Sequence, residues 1–163
     1  MSAKITPCLW FDDQAEEAVR FYAGIFKDSK ITAITRYPDV GQEIHGKPAG
    51  SVLTVEFELD GQSFTALNGG PHFKFNEAVS FQIECATQEE VDYYWERLSE
   101  GGDPKAQQCG WLKDKYGLSW QVTPKGMAEM LNDPDTAKSQ RAFQAMLQMK
   151  KLEVAGLQRA FAG

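Results

Sequence analysis

The stretch most informative about the fold runs from Cys109 to Pro124 and reads CGWLKDKYGLSWQVTP. Both of its ends are apolar, and the residues from Asp114 to Gly117 between them have the composition of a turn. This pattern predicts two short strands joined by a tight turn. Whether such a hairpin carries a function or only closes a sheet depends on what the rest of the chain places beside it.

The second half of this hairpin has a counterpart earlier in the chain. Residues 61–66 read GQSFTA and residues 117–122 read GLSWQV, so a G-x-S-aromatic element occurs twice. A helix-like segment precedes each copy, EEAVRFY at residues 16–22 and EEVDYYW at residues 89–95. A repeat spacing of about 60 to 70 residues is too long for a solenoid, and it indicates two paired half-domains.

The periodicity predicts the same order of elements in each half, beginning with a strand and a helix. In the first half, the expected helix N-cap is Asp12 or Asp13. In the strand at residues 51–59, alternation places Leu53, Val55, Phe57 and Leu59 on one face. The expected elements are strand 4–11, helix 12–26 and strands 30–37, 51–59 and 62–68, then strand 78–85, helix 86–102 and strands 105–114 and 116–124.

We therefore predict an α+β fold made of a first βαβββ module at residues 1–70 and a second at residues 71–124. A helical extension is predicted for residues 125–163. Its apolar residues fall on two helical faces, which must be buried against the sheet or against a second subunit. Phe143, Met146 and Leu147 stand on one face together with Lys150, and Val154, Leu157 and Phe161 stand on the other.

Composition narrows the class of protein. The formal charge of -6 comes from dispersed acidic residues, which argues against a nucleic-acid partner and against an anionic membrane surface. No apolar run approaches the ~20 residues of a membrane span, and the N-terminus does not read as a secretory leader. The three cysteines cannot all pair and form no C-x-x-C, which argues against a disulfide framework or a structural zinc site. Cys8 and Cys85 lie in apolar strand-like runs and are expected to be small core residues. We expect a cytoplasmic protein.

Sequence blocks from nearly the whole chain resemble the PhnB-like family of the vicinal oxygen chelate superfamily, a domain also described as 3-demethylubiquinone-9 3-methyltransferase. The resemblance implies that the two modules form curved sheets around a cleft that takes a small molecule. It also implies a homodimer, in which modules can be exchanged between chains. The blocks are PCLWFDDQAEEAVRFYAGIF, FTALNGGPHFKFNEAVSFQIEC, TQEEVDYYWERLSEGG, CGWLKDKYGLSWQVTP and AMLQMKKLEVAGLQRAF.

The resemblance also identifies where a metal would bind. Metalloenzymes of this superfamily hold a divalent ion with His and Glu from the first and last strands of each module. At those positions this chain has Thr6 or Pro7, Thr65, Ala78 and Gln121, none of which is a charged or imidazole donor. We therefore predict no cofactor. The alternative is a divalent metal held at other positions by His72, Glu77 and Gln121.

The candidate ligand-binding residues are those expected to border the cleft. Tryptophans can stack on a flat ligand or fill the core, and amides can orient a neutral polar ligand. The cysteine before Gly110 would be catalytic only with a His or cation beside it. His45, in a Gly/Pro-rich loop, is expected to be solvated. The candidates are Trp10, Thr65, Asn68, His72, Cys109, Trp111 and Gln121.

The resemblance, taken with these residues, implies two function classes. The first is a small-molecule-binding protein with a degenerate metal site. The alternative is an enzyme of the same superfamily that uses the atypical metal set or acts without metal. The methyltransferase description fits poorly, because the paired glycines of LNGGPHF lead to no parallel strand-helix unit.

Overall fold

The computed structural model describes residues 3–163, and the chain forms two compact units, one ending at Lys74 and the other running from Phe75 to Gly163. The first unit contains β1 (Cys8–Phe11), α1 (Ala15–Ala23), β2 (Lys30–Arg36), α2 (Gln42–His45), β3 (Val52–Leu59) and β4 (Gln62–Asn68). The second contains β5 (Ser80–Cys85), α3 (Gln88–Ser99), a 3₁₀ helix (Pro104–Ala106), β6 (Trp111–Lys113), β7 (Ser119–Pro124), α4 (Met127–Leu131), α5 (Thr136–Leu147) and α6 (Val154–Ala162).

The first unit is a four-stranded mixed sheet of order β1-β4-β3-β2 with α1 packed on one face. Its first and last strands, β1 and β4, are parallel, and the other two pairs are antiparallel. The predicted alternation in β3 holds for Val55, Phe57 and Leu59, all of which are buried. Opposite them, α1 buries Ala18, Val19 and Tyr22, which form the apolar stripe expected of an amphipathic helix.

The second unit repeats this arrangement in a smaller sheet of order β5-β7-β6. Here too the first and last strands are parallel, and α3 buries Val91, Trp95 and Leu98 against the sheet. The α+β class, with two small mixed sheets and C-terminal helices, is therefore confirmed.

The repeat is incomplete in the second unit, whose sheet has three strands where the first unit's sheet has four. Of residues 105–114, only Trp111–Lys113 form a strand of the sheet. The segment before it turns instead, because Pro104 starts a 3₁₀ helix and the Asp103 carboxylate accepts the N–H of Lys105 at 2.9 Å.

The two helix starts are capped differently, and the prediction for α1 was wrong. Neither Asp12 nor Asp13 caps it, because the N-cap residue is Gln14, whose side chain makes no capping bond. The N–H of Ala15 instead donates to Asn68 Oδ1 at 2.8 Å, so the cap comes from the end of β4. In α3 the cap is local, with Thr87 accepting from the N–H of Glu90.

Cys85 and Cys8 differ in burial. Cys85 is fully buried, as predicted. Cys8 is exposed, which corrects the expectation of a core residue. The physical reason is strand alternation, since Leu9 and Phe11 occupy the buried face of β1 and leave Cys8 on the opposite face.

The C-terminal helices belong to the second unit, where the side chain of Gln88 binds backbone groups at the start of α6. The Gln88 side chain donates to Leu152 O and accepts the N–H of Val154, at 3.1 and 2.7 Å. Leu152 and Leu157 are buried, whereas Phe143 and Leu147 are 48% and 42% exposed. No helix in the described part of the chain is long and apolar enough to cross a membrane.

Candidate functional site

The face of the second sheet opposite α3 gathers polar side chains in register. In β7, Trp120 and Val122 are buried on the α3 side, so alternation places Ser119 and Gln121 on the other face. Strand pairing aligns Ser80 and Lys113 with Ser119, and Gln82 and Trp111 with Gln121. We call this set the polar face: Ser80, Gln82, Trp111, Lys113, Ser119 and Gln121.

Gln121 is held within the polar face by its neighbours. Its Nε2 donates to Ser80 Oγ at 2.9 Å, and Gln82 Nε2 approaches its Oε1 at 3.5 Å. All three groups are neutral. The amide is thus already engaged with a hydroxyl on the adjacent parallel strand.

Lys113, the charged member of the six residues named above, is paired. Lys113 Nζ contacts Glu77 Oε1, and this hydrogen bond holds the pKa of the Glu77 carboxyl below its usual value. Glu77 is 61% exposed and Lys113 27% exposed, so the pair lies at the rim rather than in the interior.

The positions at which the family resemblance implies metal ligands carry poor ligands in this chain. β5 begins at Ser80, so Ala78 precedes the strand and Ser80 is the opening-strand residue bonded to Gln121. In the first unit, the N–H of Thr65 donates to Pro7 O at 2.9 Å. Hydroxyls and an amide, without a carboxylate, thiolate or imidazole, do not fit a divalent ion.

The alternative set of His72, Glu77 and Gln121 is not assembled within either unit. His72 lies in the first unit, beside Phe73, whereas Glu77 and Gln121 lie in the second. Glu77 is engaged with Lys113 and Gln121 with Ser80. Among the residues that the structure describes, no group of three or more His, Cys, Asp or Glu side chains could hold a metal.

Two predicted ligand-binding residues of the first unit have structural contacts. Trp10 Nε1 donates to Gly70 O at 2.9 Å, and its ring meets Phe73 edge-on at 4.8 Å. Asn68 is 5% exposed, and besides capping Ala15 it donates to Val52 O at 3.1 Å. These bonds do not test ligand binding, but they give both residues a role in the fold.

Asn68 also lines a pocket of about 380 Å³ in the first unit. The charged groups around this pocket are Asp13, Glu16 and Lys47. Lys47 Nζ is 3.8 Å from Asp12 Oδ1, so its charge is partly balanced. The pocket therefore has mixed charge.

Cys109 does not lie on a strand, contrary to the prediction. It has φ 52° and precedes Gly110 with φ 84°, so the two form a left-handed turn. Their N–H groups donate to the carbonyls of Met149 and Lys150, both at 2.8 Å. The turn is thus a docking point for the C-terminal extension, and Cys109 Sγ accepts from Gln108 Nε2 at 3.4 Å.

His45 also differs from its expected solvated state. Its Nδ1 accepts the N–H of Lys47 and its Nε2 contacts Val40 O, both at 2.9 Å. The ring packs on Tyr37 at 4.7 Å. His45 therefore organises the loop between β2 and β3.

The sequence placed Asp114 in a turn but did not predict its burial or its bond to Trp120, and it did not single out Ser119. Asp114 is 2% exposed and its carboxylate accepts the N–H groups of Tyr116 and Leu118 and the indole N–H of Trp120. A D-x-x-G turn is a recognisable signal for the first of these bonds. Nothing in the sequence indicates that Ser119 is 1% exposed.

Two sheets, each with parallel first and last strands and one helix-covered face, define a glyoxalase-like fold of the vicinal oxygen chelate type. The solved structures that share it include the fosfomycin resistance protein FosX from Listeria monocytogenes (TM-score 0.51, 16% identity, covering 79% of this chain and 98% of FosX). Another is protein PA1353 from Pseudomonas aeruginosa (TM-score 0.57, 18% identity, covering 76% and 98%).

Within that class the chain belongs to the PhnB-like family described as 3-demethylubiquinone-9 3-methyltransferase, whose model matches residues 3–123. A PhnB protein from Bacillus cereus, given the same description, is 36% identical, with a TM-score of 0.63 over 75% of this chain and 99% of its own. No curated protein matches the chain. The family match ends before α4, so the C-terminal helices lie outside it.

Proposed function

We propose that this protein binds a small molecule on the polar face of its second sheet and does so without a resident divalent ion. The observation that carries the proposal is the 2.9 Å bond from Gln121 Nε2 to Ser80 Oγ. It joins, through neutral groups, the two strands from which the superfamily supplies metal ligands. A ligand here would be held by hydrogen bonds and by contact with Trp111.

The proposal does not include methyl transfer. Binding of S-adenosylmethionine typically uses a glycine-rich loop between a strand and a helix. Here β1 is joined to α1 by Asp12, Asp13 and Gln14, and β5 to α3 by Ala86 and Thr87. Neither connection contains a glycine, so these residues do not fit the family's description as a methyltransferase.

A gain-of-binding experiment tests the degenerate site directly. The double variant Ser80→His and Gln121→Glu places imidazole and carboxylate donors on the two bonded positions. We expect the variant to bind Zn²⁺ or Ni²⁺ measurably by isothermal titration, whereas the wild-type protein, dialysed with either ion, retains it only substoichiometrically by mass spectrometry.

The matched control moves one donor along the same strand. Ser80→His with Thr123→Glu keeps both new groups on one face, but Thr123 pairs with Glu84 rather than with Gln82. This control should bind metal no better than Ser80→His alone. Stoichiometric metal in the wild-type protein, lost on Glu77→Gln or His72→Ala, would instead favour the enzyme with an atypical metal set.

The proposal also includes a cytoplasmic homodimer, as the family resemblance implies. Three cysteines without a disulfide suit a reducing compartment. Sedimentation velocity tests the assembly, since a dimer has twice the chain mass of 18.2 kDa. A monomer at all accessible concentrations would contradict this part of the proposal.

A further inference from the structure

Ser119 carries a buried hydroxyl group whose lack of a hydrogen-bond partner is not explained by packing. Its side chain is 1% exposed, and its Oγ has no hydrogen-bond partner among the residues that the structure describes. A buried hydroxyl without a partner destabilises a folded protein, and native proteins retain few of them. Ser119 belongs to the polar face, so its unpartnered hydroxyl lies on the same side of the sheet as Ser80 and Lys113.

The hydrogen bonds around Ser119 run in one direction. Gln82 donates to Gln121, and Gln121 donates to Ser80. Ser80 therefore receives a bond and keeps its own O–H to donate. Strand pairing sets Ser80 on one side of Ser119 and Lys113 on the other. The row Ser80, Ser119 and Lys113 thus offers two hydroxyl donors and an ammonium group.

We propose that this row binds a terminal oxyanion, a carboxylate or phosphate group, of the small molecule that the proposed function requires. Ser80 and Ser119 donate their O–H groups to its oxygens, and Lys113 supplies the compensating charge. Trp111 lies two residues before Lys113 on the same face of β6, and it flanks the body of the ligand. Charge-assisted bonds of this kind are stronger than neutral ones. This inference rests on the proposed function and specifies the ligand's chemical class.

The Glu77 carboxylate competes with the ligand oxyanion for Lys113. Its carboxylate contacts Lys113 in the free protein, and it is 61% exposed. An exposed ion pair contributes little to stability, so a ligand oxyanion can replace Glu77 at Lys113 at small cost. Removing the Glu77 charge should therefore strengthen anion binding.

Three small aromatic probes test the inference at low ionic strength: benzoate, phenyl phosphate and the neutral isostere benzamide. Binding is followed by the ¹⁵N-resolved NMR signals of the Gln121 side-chain amide and the Trp111 indole. We expect at least one of the two anions to bind about tenfold more tightly than benzamide. Comparing the two anions distinguishes a carboxylate from a phosphate ligand.

Four variants assign the binding to this row. Lys113→Met should weaken anion binding about tenfold, whereas the control Lys115→Met, in the adjacent turn, should not. Glu77→Gln should strengthen it. Ser119→Ala should weaken anion binding and at the same time raise the urea midpoint of the free protein, because it removes an unsatisfied buried hydroxyl. Only a hydroxyl kept for a ligand gives that combination.

The outcomes separate this inference from the proposed function. If benzamide binds at the polar face as tightly as both anions, the oxyanion proposal fails and small-molecule binding stands. If Ser119→Ala destabilises the free protein, the hydroxyl has a structural partner and the proposal also fails. If none of the probes binds, the oxyanion proposal is overturned, and the metal-binding experiment still tests the degenerate site.

Discussion

The Asp114 carboxylate accepts the indole N–H of Trp120 at 2.9 Å, six residues further along the chain, inside the second unit. The same carboxylate accepts two backbone N–H groups of the turn between β6 and β7. One buried side chain therefore fixes both the turn and the core tryptophan next to the polar face.

Replacing Asp114 should destabilise the protein strongly. In Asp114→Asn, one carboxylate oxygen becomes an N–H donor, so either the turn or the indole loses its acceptor. We expect a loss of about 2–3 kcal/mol in the free energy of unfolding, measured by urea denaturation. Asp103→Asn is the matched control, since an asparagine can still accept the N–H of Lys105. Equal effects of the two substitutions would contradict the assigned role of Asp114.

Gly69 should tolerate no side chain, because Trp10 covers it. A Cβ at Gly69 would overlap the indole ring of Trp10. Gly69→Ala should therefore displace the ring, break its bond to Gly70 and cost about 1–3 kcal/mol. A change in tryptophan fluorescence should accompany the loss.

The control for this prediction is Gly24→Ala. Gly24 has an ordinary helical conformation with φ -77°, and the nearest atoms to an added Cβ are 3.4 Å away. This substitution should change stability by less than about 1 kcal/mol. If Gly69→Ala behaves like Gly24→Ala, the placement of Trp10 is wrong.

Cys85 should resist alkylation in the native protein. Burial, together with the negative charges of Glu90 and Glu84, raises the pKa of the Cys85 thiol to about 12. Little thiolate is then present at pH 8, and the sulfur is inaccessible. Brief treatment with iodoacetamide followed by peptide mass spectrometry should label exposed Cys8 well before Cys85. Labelling of Cys85 at the rate seen in urea would refute the prediction.

Attachment of the C-terminal extension should weaken in acid. Hydrogen bonds from Lys151 and Gln88 lower the pKa of Asp92 below its ordinary value of 3.8. A carboxylate with a lowered folded-state pKa contributes stability above its unfolded pKa, and that contribution disappears as pH falls through the folded value. The pair is partly exposed, so the contribution is about 0.5 kcal/mol at most.

The difference in unfolding free energy between wild type and Asp92→Asn should therefore be small and positive at pH 7, and it should vanish once the pH falls well below the ordinary aspartate pKa of 3.8. The bond to Asp92 also raises the Lys151 pKa, so the same pair should persist until pH exceeds the ordinary lysine value of 10.5. Glu153→Gln serves as a control, because Glu153 lies farther from Lys151, at 3.6 Å. If the difference in unfolding free energy between wild type and Asp92→Asn is constant from pH 2 to 9, the assigned role of the Asp92–Lys151 pair is contradicted.

The amino-acid sequence alone determined the elements that depend on periodicity and local turn chemistry. Alternating Val55, Phe57 and Leu59 predicted a half-buried strand, and the stripe of α1 predicted its packing face, because both patterns follow from backbone geometry. The turn from Asp114 to Gly117 was also predictable, since its residues suit a turn wherever it occurs. The family resemblance could be inferred for the same reason, because it rests on contiguous blocks.

Tertiary structure decided the features in which distant residues share one hydrogen bond or one register. Asn68 caps a helix that begins 53 residues earlier, which displaced the caps expected at Asp12 and Asp13. Ser80, rather than Ala78, is hydrogen-bonded to Gln121. The sequence did not predict this contact, because a parallel strand pairing has no local signal in the sequence. The free hydroxyl of Ser119 likewise depends on which atoms surround it. Hydrogen-bond satisfaction is a property of the folded neighbourhood, and the sequence order does not specify it.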